Sequence, residues 1–188
     1  MFIRSERLFL RPGWPEDAAE LAQVIAGGPV MSNVAALELP ACGDAAREII
    51  IGANGRALPA FFITLPSASG SKIIGGIGLG NDGEDVELGY WLASDHWGLG
   101  YAAEATRAVL SLARALGHGQ VIANQFVDDR ASLLVLTRAG FRPTGQQRLR
   151  RTGNGETALA AIYVADIDGR CTGGEGPESG EGPEMRAA

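Results

Sequence analysis

The sequence contains few residues of the kinds that cross-link a chain or hold a metal. Its two cysteines, Cys42 and Cys171, lie in segments of different character, so we expect neither a disulfide framework nor a metal site. Its only lysine, Lys72, is followed by isoleucine. A phosphate-binding P-loop requires Ser or Thr after its lysine, so this class of nucleotide site is excluded.

Long apolar runs are also missing. No window approaches the ~18 uninterrupted apolar residues of a membrane span, so we expect no membrane partner. The segment 1–12 is interrupted by charged residues and lacks the apolar centre of a secretory signal. Together with the low cysteine content, this favours a cytoplasmic protein.

Positive charge is in deficit, because 16 basic residues face 22 acidic ones and the formal net charge is −6. An acidic chain argues against nucleic acid as the main partner and is compatible with a cationic substrate. The length of 188 residues, with 46% hydrophobic residues, suits one domain with a proper core. We predict that domain over residues 1–167, followed by a disordered Gly/Glu/Pro-rich tail over 168–188.

The apolar periodicity predicts a mixed α/β fold. An antiparallel half of the sheet should be joined to a β-α-β crossover, with helices on the sheet. The pattern predicts strands near residues 6–12, 58–66, 72–80, 86–93, 120–127 and 157–166, and helices near 14–27, 44–51, 102–116 and 128–141.

A glycine pair separates the fourth strand from the third helix, in the stretch "DHWGLGYAAEA". Without a Cβ, such residues let a phosphate approach the backbone, and a helix N-terminus presents free N–H groups to an anion. The donors would be the amides of Gly98, Leu99, Gly100, Tyr101 and Ala102. The alternative is that the glycines only permit a tight turn.

The same residues match the relaxed dinucleotide-binding fingerprint G-x-G-x-x-A. In that fold the strand runs almost directly into the first glycine. Here five residues, 93–97, intervene, and three antiparallel-looking strands come first. The dinucleotide interpretation is therefore the weaker alternative.

Four segments occur together in order: "SERLFLRP", "ELGYWL" with "WGLGYAAEA", "DDRASLLVLTRAGF" and "PTGQ". In this combination the chain resembles the GNAT superfamily of N-acetyltransferases over residues 3–165, and in particular its RimJ/RimL-like branch of ribosomal-protein N-terminal acetyltransferases. Trp97 stands where the wider superfamily prefers Gln or Arg, a substitution that is familiar in this branch. The resemblance implies a mixed, mostly antiparallel sheet with two splayed parallel strands at the cofactor site.

The resemblance also implies acetyl-CoA as co-substrate. The glycine loop would hold the pyrophosphate, and the pantetheine arm would enter between strand 87–92 and strand 121–127. The cofactor-binding residues that it implies are Trp91, Leu92, Trp97, Gly98, Leu99, Gly100, Tyr101, Ala102, Asp129 and Ser132.

Two residues are candidates for acid–base catalysis. Glu87 would be the general base, directly or through a water, unless it is an ordinary surface carboxylate. Ser132 would protonate the departing sulfur, although a first-turn serine behind an Asp129 N-cap needs no function. Asp129 departs from the Asn of the family pattern, so it lacks the NH₂ group that would contact pantetheine. Strand alternation places Glu87 and Trp91 on one face and Tyr90 on the other, in the core.

The expected reaction is acetyl transfer to a primary amine, by direct attack in a ternary complex. A protein N-terminal α-amine needs the least base assistance, because it titrates near ~7.7 to 8.0 and lysine near ~10.4. Segment 27–40 lies where the branch has a variable substrate-side loop. A CoA-binding or regulatory module without turnover is the alternative, and either would act as a monomer or a homodimer.

Overall fold

The structure is a computed structural model that describes residues 1–27, 45–54, 57–68, 70–127, 129–152 and 155–168. The predicted acceptor loop, apart from Gly27, and the predicted tail, apart from Asp168, lie outside the described residues. The disorder of the tail therefore stays a prediction.

The described strands form one sheet in the order β1-β2-β3-β4-β5-β6-β8-β7. All neighbours are antiparallel except β5 and β6. The predicted mixed, mostly antiparallel sheet is thus confirmed. The strands are β1 (Ile3–Arg4), β2 (Phe9–Arg11), β3 (Ala60–Ser67), β4 (Gly70–Asp82), β5 (Asp85–Leu92), β6 (Gln120–Phe126), β7 (Arg142–Arg151) and β8 (Thr157–Asp166).

Helices cover both faces of this sheet. Their bounds are α1 (Ala18–Ala26), α2 (Ala45–Asn54), α3 (Tyr101–Ala115) and α4 (Arg130–Arg138). Buried side chains alternate along the strands between two clusters, so that Trp91 joins the one with α1 and α2 while Leu92 joins the one with α3. The α1/α2 cluster contains Leu21, Ala46, Ile50, Phe62, Ile73 and Trp91.

The parallel pair β5/β6 is joined through α3, as the predicted crossover requires. Its ladder contains one register pair, Glu87 with Ile122, whereas β6 and β8 pair at seven positions. The two parallel strands therefore separate beyond Glu87, and the predicted splay is confirmed.

Strand β7 was not predicted from the sequence. Its segment "RPTGQQRLRR" has one apolar side chain besides proline, and most of it is exposed. It occupies the edge of the sheet, where one neighbour supplies all strand hydrogen bonds and no apolar face is needed. Apolar periodicity therefore cannot reveal it.

Candidate functional site

The glycine loop follows a short 3₁₀ turn, Ser94–His96, and leads directly into α3. Gly98 and Gly100 have φ values of 72° and 81°, in the left-handed region that favours glycine. Gly100 is the N-cap of α3, and no described side chain caps this helix. The first-turn N–H groups and the positive end of the helix dipole thus remain available to an anion.

A buried carboxylate braces the loop from behind. Glu104, in the first turn of α3, accepts hydrogen bonds from Ser5 Oγ at 2.7 Å and from the Arg7 N–H at 2.7 Å, and forms an ion pair with Arg7 Nε at 2.8 Å. Burial acts to raise the pKa of Glu104, but these hydrogen bonds and the Arg7 charge outweigh it and lower the pKa. Arg7 Nη1 also donates to the carbonyl of Leu99 at 3.0 Å. The N-terminal segment therefore fixes the position of the loop.

A cavity of about 240 Å³ opens in front of the loop. Arg138, an exposed cation in the last turn of α4, lies at its wall and suits a phosphate group. Leu99, one of the predicted cofactor-binding residues, does not line this cavity and is 53% exposed. The predicted residues that do line the cavity are Trp91, Leu92, Trp97, Gly98, Gly100, Tyr101, Ala102 and Ser132.

Two tryptophans hold the end of β5 beside the cavity. The indole N–H of Trp97 donates to the carbonyl of Leu92 at 2.7 Å, which ties the loop to the end of the strand. Trp91 is 3% exposed, and its side chain packs in the α1/α2 cluster. A Cβ at Gly76 of β4 would lie 2.5 Å from Trp91 Nε1, so glycine is required beneath this indole.

Tyr90 does not lie only in the core. It packs against the cluster that contains α3, but it also lines both the 240 Å³ cavity and a second cavity of about 30 Å³ between β5 and β6. Its hydroxyl lies 3.5 Å from the carbonyl oxygen of Ser132. Burial, together with the charge of Asp129, raises the pKa of Tyr90, so its phenol stays protonated at neutral pH. The phenol therefore stands at the boundary between the cavities.

Asp129 and Ser132 form a compact unit at the start of α4. Asp129 Oδ1 accepts from the N–H groups of Ala131 and Ser132, each at 3.1 Å, which confirms the predicted N-cap. The Ser132 hydroxyl donates to the other carboxylate oxygen of Asp129. In this conformation the serine proton points to Asp129, and its release toward a ligand requires rotation of the hydroxyl.

Glu87 is 4% exposed and lies in a network of charged and polar side chains whose other members are half-buried. Glu87 Oε1 accepts from Asn124 Nδ2 at 2.6 Å, and Glu87 Oε2 lies 2.9 Å from Arg150 Nη2. Arg148 Nε donates to Asn124 Oδ1 at 2.8 Å, and both arginines contact Asp82. We call these five residues the salt-bridge network. The formal charges of its two arginines and its two carboxylates sum to zero.

The salt-bridge network borders the gap between the splayed strands. Glu87 is absent from the described residues that line either cavity, but its partner Asn124 lines the smaller one. Glu87 was predicted from the sequence, but its partner Arg150 and the second arginine of the network, Arg148, were not, because both lie on the unpredicted β7. Glu87 itself therefore does not line the gap, but its hydrogen-bond partner Asn124 does.

His96 lines the wall of the 240 Å³ cavity, next to the loop. Burial and the nearby Lys72 charge lower the pKa of His96, against an opposing effect of Asp95, so the imidazole is mainly neutral near pH 7. Within the described ranges, no group of three or more His, Cys, Asp and Glu side chains could hold a metal ion. None of the helices in the described part of the chain is long and apolar enough to cross a membrane.

The solved structures that resemble this fold include the following two. One, from Salmonella typhimurium, modifies the N-terminal serine of ribosomal protein L7/L12; it is 19% identical, with a TM-score of 0.74 over 89% of this chain and 100% of that one. The other is Mycobacterium smegmatis RimJ in complex with a CoA disulfide, 21% identical, with a TM-score of 0.67 over 88% of this chain and 86% of that one. At these identities the likeness shows the fold alone.

Similarity in sequence shows more than the fold. An uncharacterized N-acetyltransferase of Bacillus subtilis (strain 168), YoaA, is 34% identical over 96 residues, which are 49% of this chain and 54% of that relative. The match thus spans about half of the relative's length. The family model for the acetyltransferase (GNAT) domain matches residues 7–142, from the Arg7 brace through the glycine loop and α4. With that match, the chain belongs to the GNAT acetyltransferase family.

Proposed function

We propose that this protein is an N-acetyltransferase that moves an acetyl group from acetyl-CoA to a primary amine. The observation that carries the proposal is the continuity of the site. The uncapped N-terminus of α3 opens on a 240 Å³ cavity, and Tyr90 and Ser132 connect that cavity to the gap between β5 and β6. An anion site, a cavity and a gap between splayed strands suit a ligand with a phosphate end and a long polar arm.

The residues present fit acetyl-CoA, which supplies the activated acetyl thioester. The amides of the glycine loop would hold the pyrophosphate, and Arg138 would contact a phosphate group. The arm would approach the gap past Tyr90 and Ser132. Trp97 and Leu92, joined by their hydrogen bond, would hold the end of β5 against the bound arm.

For catalysis, Glu87 would accept the proton that the attacking amine loses, directly or through a water beside Asn124. The amine nitrogen forms a bond to the acetyl carbon while the carbon–sulfur bond breaks, in one ternary complex. Ser132 would give its hydroxyl proton to the departing sulfur and recover a proton from solvent, and the protonated Tyr90 stands beside it. The network partners of Glu87 hold its carboxylate in place.

We propose a protein N-terminal α-amine as the acceptor. A larger share of α-amines than of lysine side chains is neutral at pH 7, so a weak base suffices. The structural neighbour from Salmonella, which modifies an N-terminal serine, supports the same choice. The proposal also includes residues 1–167 as the catalytic domain and a cytoplasmic location.

Acetyl-CoA binding and turnover can be tested separately. At 100 times the dissociation constant, bound acetyl-CoA should raise Tm by about 5 to 10 °C. CoA release should then be measured with peptides bearing free or blocked N-termini, polyamines and aminoglycosides. Free-N-terminal peptides should react and their blocked counterparts should not. The absence of any Tm shift contradicts the cofactor assignment.

A second candidate is a CoA-binding module without turnover. The observation that favours it is the engagement of both proposed catalytic groups: Glu87 is ion-paired to Arg150, and the Ser132 hydroxyl is bonded to Asp129. A Tm shift with acetyl-CoA but no CoA release from any amine in the panel would select this candidate.

A further inference from the structure

Gln125 on β6 is a buried polar residue in the gap that the proposed mechanism does not use. It is 6% exposed and lines the 30 Å³ cavity together with Tyr90 and Ser132. Its Nε2 donates to the carbonyl of Asp129. Its Oε1 is buried and has no hydrogen-bond partner among the residues that the structure describes.

An amide oxygen in that state carries an uncompensated desolvation cost. The polar groups around it do not relieve it: the Tyr90 hydroxyl in the same cavity is directed to the Ser132 carbonyl oxygen, at 3.5 Å, and not to Gln125. Asp129 is an acceptor that already binds two backbone N–H groups and the Ser132 hydroxyl, and the Asn124 NH₂ group is bonded to Glu87. Gln125 also faces the α4 side of the sheet, because Ala123, two residues before it, lies in the α3 cluster. The missing donor is therefore to be sought in a ligand that enters the gap.

We infer that Gln125 Oε1 accepts a hydrogen bond from an amide N–H of the pantetheine arm of acetyl-CoA. The inference rests on the proposed function. Pantetheine carries two secondary amides, and each has an N–H donor. The arm can enter the narrow gap without breaking a strand ladder, because β5 and β6 are paired only at Glu87 and Ile122. Gln125 thereby contacts the arm through Oε1. Through Nε2 it holds the start of α4, where Ser132 lies.

The test compares acetyl-CoA with adenosine 3′,5′-bisphosphate, which lacks the arm. Gln125→Met keeps the approximate shape and removes both the Oε1 acceptor and the Nε2 donor to Asp129, so the bisphosphate titration serves to detect any loss caused by a displaced α4. The substitution should weaken acetyl-CoA binding about three- to tenfold, the worth of one hydrogen bond, and leave bisphosphate binding unchanged, as measured by titration calorimetry. The matched control is Thr106→Val, because Thr106 Oγ1 on α3 is also buried without a described partner but lines neither cavity. This variant should bind both ligands like the wild type.

Equal losses for the two ligands would show a purely structural role for Gln125 and overturn the inference, as would unchanged acetyl-CoA binding. Should Gln125→Met fail to fold, NMR of the wild-type side-chain amide decides. Its resonances should shift with acetyl-CoA and not with the bisphosphate, and equal shifts contradict the inference. A wild-type protein that binds neither ligand would instead refute the proposed function.

Discussion

Arg150 Nη2 lies 3.2 and 2.9 Å from the two carboxylate oxygens of Glu87, although β6 and β8 separate their strands in the sheet. The edge strand β7 thus reaches across the face of the sheet to hold a carboxylate of β5. Because Asn124 of β6 bonds to the same carboxylate, the salt-bridge network spans the gap where β5 and β6 separate. The position of the proposed base therefore depends on a strand far away in the sheet.

Glu87→Gln tests the proposed base. The amide is nearly the same size but cannot take up a proton, so kcat should fall about 10²- to 10⁴-fold while the acetyl-CoA-induced Tm shift stays the same. The control is Glu84→Gln, a surface carboxylate in the turn just before β5, which should keep the wild-type rate. A wild-type rate for Glu87→Gln would remove the base role.

Ser132→Ala tests the proposed proton donor. Loss of the hydroxyl should lower kcat about 10²- to 10⁴-fold, measured as CoA release at saturating acetyl-CoA. The two backbone bonds of the Asp129 cap do not use this hydroxyl, but its own bond to Asp129 is lost, so Tm should fall by only about 1 to 6 °C. The companion variant Asp129→Asn retains a good cap and removes a negative charge beside the departing sulfur, and its kcat should not fall. A decrease would show that the carboxylate itself is needed.

The elements predicted correctly from the sequence are those with an apolar face. α3 and β5 each bury a regular set of side chains, and the Asp129 cap has a local sequence signal. β7 has neither, because it is an exposed edge strand whose arginines find their partners on β4 and β5. Ion pairs between distant strands leave no local pattern.

Site residues divide in the same way. The loop could be placed because glycine at φ 72° and 81° has a purely local cause. Arg7 and Glu104 lie in two of the four segments that carry the family resemblance. Their pairing across 97 residues is visible only in the folded structure. Gln125 and Tyr90 were missed for a different reason. Their roles depend on how far β5 and β6 separate, which is a property of the sheet and not of either strand.

Gly98→Ala tests the loop. At φ 72° an alanine is strained by about 1–2 kcal/mol, and its methyl group would stand at the cavity wall where a phosphate must approach. We expect at least about tenfold weaker acetyl-CoA binding by calorimetry. Gly117→Ala is the matched control, since Gly117 has φ 91° and equally open surroundings but lies past the end of α3. It should lose similar stability and keep its affinity. Equal affinity losses would mean that the loop has no special role.

Glu104→Gln tests whether the buried brace contributes to stability in a pH-dependent way. The folded-state pKa of Glu104 lies below the unfolded value of 4.5, so its contribution is fully present above that pH and is lost as the pH falls through the folded pKa. At pH 7 the variant should be less stable by about 2 kcal/mol, because hydrogen bonds to a charged acceptor become neutral ones.

The difference in stability between wild type and Glu104→Gln should shrink from pH 5 to pH 3, as measured by thermal unfolding in a series of buffers. Asp17 and Asp166 also have lowered pKa values, so both proteins lose stability in acid and only their difference reports on Glu104. Glu6→Gln, an exposed change beside Arg7, should show no such pH-dependent difference. A constant gap between wild type and Glu104→Gln across this range would mean that Glu104 holds the glycine loop by shape and not by charge.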